Sequence, residues 1–336
     1  MPLASRYPVQ TSDHLRTSNR GLNGMRIGVL MGGRSLERDV SLRSGRRVSR
    51  ALTELGHDVL DLDVDERLVP TLKEERLDLV YIALHGKFGE DGTVQELFEI
   101  LDVPYTGPGV FSSAIGFNKA LSKEIFQREG IPTPPFFVLS EATFQEMGAL
   151  YSLGAVGDKL GFPLVVKPVA QGSALGVKVA ATRDELPEAV RSALHYDDRV
   201  LLEKYVKGTE VAASILGNEY LEALPLVETV PRSGFFDFDS RYTPGLTEYY
   251  CPARLDDDAS QRSVEAALHT HRALGCLNVS RVDIIVDETG VPQVLELNIS
   301  PGMTETSLLP MAAETAGLDF NDLVKRLVGL AMEKYS

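Results

Sequence analysis

Between residues 25 and 106 the chain alternates apolar runs of strand length with helical stretches, and this alternation constrains its fold more than any other feature. The first run is followed at once by Gly32 and Gly33, and apolar residues then recur at helical spacing from Val40 to Leu55. The strand candidates are Met25–Met31, Val59–Leu62 and Leu79–Leu84. Strands joined by helices form parallel sheets, whose ligands bind at the carboxyl ends of the strands. We therefore predict an N-terminal α/β domain over residues 25–106.

The rest of the chain predicts two α+β domains, over residues 107–202 and 203–336. The turn Gly107-Pro-Gly109 marks the first boundary, and one continuous helix is predicted from Ala114 to Glu129. Short strand candidates follow in the second domain, and longer ones with a closing helix from Phe320 in the third. The length of 336 residues exceeds the ~100–150 residues of an ordinary domain, which agrees with this division.

The composition excludes several classes of partner. The 34 basic and 48 acidic residues give a net charge of −14, which disfavours nucleic-acid binding because that affinity depends mostly on Lys and Arg. No apolar run approaches the roughly 18 residues that a membrane helix needs. The two cysteines, Cys251 and Cys276, form no metal-binding or redox motif, as is usual in a reducing cytoplasm. We expect a cytoplasmic protein that binds neither nucleic acid nor membrane, with residues 1–24 as a disordered tail.

Two strand candidates carry polar residues at a spacing of two and indicate a metal site. Arg281 and Asp283 share one face of the first strand, and Glu296 and Asn298 share one face of the second. A turn between them would form a hairpin that brings together three oxygen-bearing side chains, which Mg²⁺ accepts alongside phosphate oxygens. The alternative is a solvated polar face. The apolar neighbours argue against it, since buried carboxylates without partners are costly.

A lysine and a glycine-containing loop indicate a site for phosphate groups. Lys167 ends a strand candidate, and the loop Gln171–Gly176 follows it. A lysine and the backbone N–H groups of such a loop can hold phosphate oxygens in proteins without a P-loop, whose motif is absent from this sequence. A simple Gly-Ser hairpin explains the same residues, so this pattern alone leaves both interpretations open.

Taken together, these and other segments resemble the D-alanine–D-alanine ligases of the ATP-grasp superfamily from about Met25 to the C-terminus. The lysine and Glu-x-Asn elements are common to the superfamily, whereas the first two of the following motifs are specific to this family. The matching segments are Gly32–Ser41, His85–Gly92, Pro104–Gly107, Asn118–Lys119, Val166–Pro168, Glu203–Lys204, Arg281–Asp283 and Glu296–Met303.

The resemblance implies a fold and a reaction. The fold is α/β with the three-domain ATP-grasp architecture, in which an N-terminal parallel-sheet domain precedes two α+β domains that enclose ATP. The reaction is the ADP-forming ligation of two D-alanines through an acyl phosphate, which supplies peptidoglycan synthesis. The implied cofactors are ATP and two Mg²⁺ or Mn²⁺ ions, the implied partners are the small molecules D-alanine and ATP, and a homodimer is compatible with the family.

The resemblance also assigns nucleotide and metal roles to individual residues. Lys119 and Lys167 would contact the phosphates of ATP. Asp283, Glu296 and Asn298 would hold the two metal ions. The remaining nucleotide contacts would come from Glu203, Lys204, Val206, Glu210 and Arg241.

For the first D-alanine, the resemblance assigns the binding of its ammonium group to Glu37. Ser173 and Tyr242 would lie on loops that close over the site and would be linked to Glu37 by hydrogen bonds. Simpler interpretations exist for each residue alone. Glu37 at the start of a helix can merely complement the helix dipole, and Tyr242 can serve only in packing.

For the second amino acid, the resemblance assigns contacts to His85, Gly302 and Ser307, which would also face the developing oxyanion. Arg281 would stabilise the oxygen of the tetrahedral intermediate. Taken singly, His85 can be a turn residue with satisfied hydrogen bonds and Ser307 can be a helix N-cap. Their joint occurrence with the other motifs favours the functional interpretation.

Three departures from the family pattern concern the positioning of the metal ions and the nucleotide. Arg241 stands where lysine is common, Leu277–Ser280 replaces a glycine-tryptophan run, and Leu297 stands where alanine is frequent.

The alternative functions are a ligase with another acceptor, such as D-lactate or a different amino acid, a non-catalytic nucleotide-binding module, and a two-lobed binding protein for sugars or amino acids. The complete set of lysine and metal-ligand candidates argues against the last two.

Overall fold

The computed structural model describes residues 24–148, 153–232, 240, 243 and 245–336. Apart from Gly24, the predicted tail lies outside these residues, as do Arg241 and Tyr242. The strands are β1 (Arg26–Leu30), β2 (Asp58–Leu62), β3 (Leu79–Ile82), β4 (Phe136–Ser140), β5 (Leu164–Pro168), β6 (Lys178–Ala180), β7 (Arg199–Lys204), β8 (Gly208–Gly217), β9 (Glu222–Ala223), β10 (Val227–Pro231), β11 (Thr247–Tyr250), β12 (Asn278–Asp287) and β13 (Pro292–Asn298). The helices are α1 (Arg38–Glu54), α2 (Leu68–Glu74), α3 (Thr93–Ile100), α4 (Val110–Phe117), α5 (Lys119–Arg128), α6 (Glu141–Gln145), α7 (Leu153–Leu160), α8 (Leu186–Leu194), α9 (Asp257–Ala273), α10 (Leu308–Thr315) and α11 (Phe320–Lys334).

The first sheet is parallel, as the alternation of strands and helices predicts. Its strand order is β2-β1-β3, and Ile27 of the central strand lies opposite both Val59 and Leu79. The glycine turn after β1 leads directly into α1, so the start of that helix lies at the carboxyl end of the central strand. This is the edge at which parallel sheets bind ligands.

The other two sheets are antiparallel, which confirms the prediction of α+β structure after the first sheet. The strand order is β4-β7-β5-β6 in the second sheet and β11-β10-β8-β12-β13 in the third, where β9 also pairs with β8. Strand β7 continues to Lys204 within the second sheet, and the third sheet begins with Gly208 of β8. The numerical domain limits given above stay predictions.

The helix predicted from Ala114 to Glu129 is two helices. The chain breaks at Asn118, whose backbone is extended (φ −92°, ψ 97°) and whose side chain accepts a 3.1 Å hydrogen bond from the backbone N–H of Leu121. Asparagine favours such a capping position because its side chain replaces a missing helical acceptor. The break makes Lys119 the first residue of α5.

The first and third sheets are joined by one apolar core. Val48 and Leu52 of α1, Leu327 of α11 and Leu216 of β8 are all buried in it. This packing fixes α1 against the third sheet, and with it the candidate functional residues that each carries. None of the described helices is long and apolar enough to cross a membrane.

Asn278 connects three parts of the fold from within the segment Leu277–Ser280 that departs from the family pattern. Its Oδ1 accepts a 2.8 Å hydrogen bond from the backbone N–H of Gly107, and its Nδ2 donates to Asn218 Oδ1 (2.9 Å) and to the carbonyl of Leu330 (3.0 Å). Its φ of 64° lies in the left-handed region that glycine enters freely and asparagine next most readily. Asn278 therefore adopts a backbone conformation suited to glycine and also makes three side-chain hydrogen bonds.

We predict that Asn278→Gly lowers the free energy of unfolding by about 1–3 kcal/mol, because buried groups lose their hydrogen-bond partners. Asn278→Ala should lower it by about 1 kcal/mol more, because alanine also resists the left-handed backbone. Urea unfolding of both variants measures the difference. Equal stability of the two variants would show that the backbone conformation is not a constraint at this position.

Candidate active site

A cleft of about 360 Å³ lies between the second and third sheets. Strands β5 and β7 contribute side chains from one sheet, and β8, β10, β12 and β13 contribute them from the other. Most of the residues predicted to contact the nucleotide or metal line this cleft. They are Lys119, Lys167, Glu203, Lys204, Val206, Glu210, Asp283 and Glu296.

The predicted hairpin forms from β12 and β13 and brings the metal-ligand candidates together. The strands are antiparallel, with Asp283 opposite Glu296 and Arg281 opposite Asn298. The Nδ2 of Asn298 donates a 3.2 Å hydrogen bond to Asp283 Oδ2. The two carboxylates thus line the cleft, and the amide of Asn298 lies beside Asp283 on the wall of a neighbouring pocket.

Cationic side chains face both carboxylates of the hairpin. Arg281 donates to both oxygens of Asp283, from Nε at 2.7 Å and from Nη2 at 2.9 Å. Lys119 Nζ lies 3.2 Å from Glu296 Oε2. The cost of burying Asp283, which is 5% exposed, is therefore offset within the chain, and a metal ion is not needed to explain its burial.

The donor set nevertheless fits magnesium that is also bound by phosphate oxygens. Among the described residues no cluster of three or more His, Cys, Asp or Glu side chains could form a complete metal cage. The set of Asp283, Glu296 and Asn298 is smaller and offers hard oxygen atoms from two carboxylates and one amide. Magnesium typically takes one or two carboxylates and completes its shell with phosphate and water oxygens.

Glu203 holds two lysines at the base of the cleft. Its Oε1 lies 2.5 Å from Lys167 Nζ, and its Oε2 lies 3.0 Å from Nζ of Lys123, a residue that the sequence analysis missed. Burial opposes ionisation of Glu203, but the two ammonium groups outweigh it and lower the pKa of the carboxyl. Lys123 lies four residues after Lys119 on α5. This helical spacing of two lysines is the sequence signal that could have identified Lys123 as a neighbour of the site.

A smaller pocket of about 80 Å³ adjoins the hairpin on the side of the first sheet. It contains the residues predicted to bind the two amino acids, apart from Tyr242, which lies outside the described residues. Those residues are Glu37, His85, Ser173, Arg281, Gly302 and Ser307. Arg281 and Asn298 of the hairpin form part of its wall. The geometry thus places the small pocket next to the end of the cleft that carries Asp283 and Glu296.

Glu37 directs its carboxylate into this small pocket. It stands just before α1 but makes no side-chain capping bond, and Ser173 Oγ donates to its Oε1. Its Oε2 is buried and has no hydrogen-bond partner among the described residues. Burial raises the pKa of Glu37, and the nearby charge of Glu90 raises it further, against the hydrogen bond from Ser173. An ammonium group in the pocket would supply the missing partner.

Glycines make room for the Glu37 carboxylate. A Cβ atom added to Gly172 would lie 2.6 Å from Glu37 Oε2, and one added to Gly86 would also collide with that oxygen. The next residue, Ser173, adopts a left-handed backbone with φ 51°. The loop after β5 therefore approaches Glu37 closely enough for Ser173 to bond it.

His85 is held from both sides by protein groups. Its Nε2 lies 3.1 Å from Ser44 Oγ, and its Nδ1 lies 3.5 Å from Glu90 Oε1. Ser44 Oγ also accepts a 3.2 Å hydrogen bond from the backbone N–H of Met303. Sequence reasoning missed Ser44 and Glu90, although both lie within or beside the quoted motifs. His85 is thus fixed in place, and it still lines the small pocket.

The loop that carries Gly302 and Ser307 is held from behind by α1. Arg47 of that helix donates to the carbonyls of Met303 (3.2 Å) and Thr304 (2.8 Å). Ser307 occupies the N-cap position of α10, but its Oγ bonds Thr304 instead of capping the helix. A Cβ at Gly302 would lie 2.7 Å from that oxygen, so the absence of a side chain keeps the pocket open there.

Two family models match the chain: D-ala D-ala ligase C-terminus over residues 125–329 and D-ala D-ala ligase N-terminus over residues 65–108. The D-alanine–D-alanine ligase of Pelotomaculum thermopropionicum is 45% identical over 92% of this chain and 97% of its own. That of Desulforamulus reducens is 46% identical over 92% and 99%. The crystal structure of the D-alanine–D-alanine ligase from Bacillus anthracis complexed with ATP has a TM-score of 0.78 at 35% identity, covering 93% of this chain and 98% of that one. The VanG D-Ala:D-Ser ligase from Enterococcus faecalis has a TM-score of 0.78 at 30% identity, covering 92% and 100%.

We predict that Glu37→Gln stabilises the protein in a pH-dependent way. The pKa of Glu37 is raised above its ordinary value of 4.5, so ionisation costs more in the folded than in the unfolded protein. Below that value the carboxyl is protonated in both states and contributes no such penalty. As pH rises through the folded-state pKa, the wild type should lose stability relative to the variant.

Melting temperatures from about pH 4 to about pH 8 test this expectation. The exposed Glu219→Gln variant is the control, and its plot of melting temperature against pH should stay parallel to that of the wild type. Parallel curves for Glu37→Gln as well would contradict the assignment of a buried, destabilised carboxylate.

Proposed function

The chain belongs to the D-alanine–D-alanine ligase family, and we propose that it joins two D-alanines into D-alanyl-D-alanine, a peptidoglycan precursor, with conversion of ATP to ADP. The observation that carries this proposal is the junction of two sites. A cleft with lysines and metal-ligand candidates adjoins a small pocket with a buried carboxylate, and the β12–β13 hairpin borders both. ATP and an amino acid could thus meet across this hairpin.

The first step is the activation of a carboxylate, which does not itself react with an amine. One oxygen of the D-alanine carboxylate attacks the terminal phosphorus of ATP, and the bond from that phosphorus to ADP breaks. Lys119 and Lys167 would neutralise charge on the transferred group. Asp283, Glu296 and Asn298 would hold magnesium or manganese, which when bound supplies further positive charge to the phosphates.

The small pocket would orient both amino acids. The buried Oε2 of Glu37 would accept a hydrogen bond from the ammonium of the first D-alanine. The deprotonated amine of the second then attacks the acyl phosphate, and inorganic phosphate leaves from the tetrahedral intermediate. Arg281, which lines the pocket, would stabilise the oxyanion of that intermediate, and His85, Gly302 and Ser307 would hold the second amino acid.

Water must be excluded while the acyl phosphate exists, because water hydrolyses it. The hydrogen bond between Ser173 and Glu37 supports the proposal that the loop after β5 covers the pocket and excludes water. Tyr242 would complete the cover. Its neighbour Arg241 would keep the positive charge that lysine supplies elsewhere in the family, with a different donor geometry.

We also propose a cytoplasmic location and an amino-acid acceptor. ATP is a cytoplasmic substrate, and the free thiols of Cys251 and Cys276 suit a reducing compartment. A neutral tyrosine at position 242 offers no cation to an anionic hydroxy acid, which favours D-alanine over D-lactate. Association into a homodimer remains a proposal from the family alone.

The proposed function predicts ADP release that depends on D-alanine. With ATP, Mg²⁺ and single amino acids or hydroxy acids, only D-alanine should support rapid turnover, and mass spectrometry should identify the dipeptide. In a competition of D-alanine with excess D-lactate or D-serine, the dipeptide of two D-alanines should dominate. A mainly ester product would place the chain among ligases with a hydroxy-acid acceptor, and the absence of any turnover would favour a non-catalytic nucleotide-binding module.

We predict that Glu296→Gln reduces turnover at least about a hundredfold while the fold is kept, because an amide cannot offset the charge of a metal ion. The exposed Glu219→Gln variant should retain wild-type turnover. Initial rates at saturating Mg²⁺, with melting temperatures in parallel, separate chemistry from misfolding. Near-normal turnover of Glu296→Gln would remove this residue from the metal site.

A further inference from the structure

Lys123 occupies a buried site that is built for an ammonium group. Its side chain has no exposed surface, although Lys119, one helical turn earlier, reaches the cleft. Its Nζ lies 3.0 Å from Glu203 Oε2, donates a hydrogen bond to Thr133 Oγ1 and lies 5.4 Å from the centre of the Phe136 ring. A buried ammonium is costly without such partners, so this site maintains a charge where packing alone would favour an apolar residue.

Lys123 does not line the nucleotide cleft but reaches it through a shared carboxylate. The other oxygen of Glu203 lies 2.5 Å from Nζ of Lys167, which does line the cleft. The three side chains thus form a row in which Lys123 stands behind Glu203 and Lys167 stands in front of it. Lys123 therefore cannot touch a nucleotide from this position and can act only through Glu203.

The row has a simple charge balance. Lys167 and Glu203 alone would form a neutral pair, and such a pair attracts a phosphate group weakly. With Lys123 included, the row carries a net charge of one positive unit, and Glu203 has a partner that does not face the cleft. Lys167 can then turn toward a phosphate oxygen without leaving a buried carboxylate unpaired.

We propose that Lys123 is a positioning residue for nucleotide binding, which neutralises Glu203 from behind and so makes the charge of Lys167 available to the phosphates of ATP. This proposal rests on the proposed use of ATP. It adds to that function a residue that the cleft itself does not reveal.

A second contact fixes Lys123 relative to the third sheet. Thr133 Oγ1 accepts the hydrogen bond from Lys123 and donates one of 2.7 Å to the carbonyl of Val294 on β13. The same strand carries Glu296 two residues later. The ammonium of Lys123 is thereby held at a fixed place between the strand that carries Glu203 and the strand that carries a metal-ligand candidate.

The test is the affinity for magnesium-ATP without D-alanine, measured by titration calorimetry. Lys123→Met should weaken binding by about tenfold, since Lys167 would then be the only cationic partner of Glu203 and its charge would be less available to the phosphates. Lys159→Met is the matched control, because Lys159 also lies 5.4 Å from a phenylalanine ring, that of Phe137, but on an exposed surface. The control should bind ATP as the wild type does.

A double-mutant cycle with Glu203→Gln tests whether Lys123 acts through the carboxylate. In the Glu203→Gln background, Lys123→Met should cause less than about a twofold further loss of ATP affinity. If Lys123→Met does not fold, Lys123→Gln replaces it, since glutamine keeps hydrogen-bonding groups and removes the charge. Unchanged ATP affinity in a folded variant, or an equal loss in both backgrounds, would overturn the proposal.

The same measurements distinguish this inference from the proposed function. Wild-type protein that binds ATP but releases no ADP with D-alanine would contradict the ligation and leave the role of Lys123 to be decided by the cycle. Wild-type protein that does not bind ATP at all would overturn both.

Discussion

The register of β12 against β13 is the constraint on which the site depends. It sets Asp283 opposite Glu296 and Arg281 opposite Asn298, so that one short ladder supplies both carboxylates, the amide and the guanidinium. A shift of one residue in either strand would turn each of these side chains to the opposite face of the sheet. The hairpin borders both the cleft and the small pocket, so the proposed nucleotide and amino acid would meet beside it.

Two of the buried carboxylates of the site, Glu203 and Glu37, are accommodated in opposite ways. Glu203 lies between Lys167 and Lys123, and their charges lower its pKa although burial opposes them. Glu37 has a hydroxyl partner in Ser173, and burial with the charge of Glu90 raises its pKa. Each oxygen of the first carboxylate lies within 3.0 Å of a lysine ammonium group, which suits a structural role in charge placement. The second retains an unfilled oxygen, as a binding site for an ammonium group requires.

The small pocket depends on supports that contact no proposed substrate. Ser44 joins His85 to the backbone of Met303, and Arg47 holds the next carbonyl groups of the same loop. Both supports come from α1, which is also packed in the core shared with the third sheet. A single helix thus carries Glu37 at its start and fixes the loop of Gly302 from its side, so the two halves of the pocket keep their spacing.

The parallel first sheet and the hairpin of Asp283 and Glu296 could be predicted from the sequence alone, because alternation and a spacing of two are local properties of the chain. The family motifs likewise predicted the residues that meet in the cleft and the small pocket. Other features depend on how the folded chain packs: the break at Asn118, the burial of Lys123 behind Glu203, and the bonds of Asn278 to Gly107 and Leu330. The local sequence around a polar residue in a helix or turn does not show whether that residue faces water or a partner from a distant segment. Its burial and its bonds are set by segments far away in the chain, and only their packing brings those segments together.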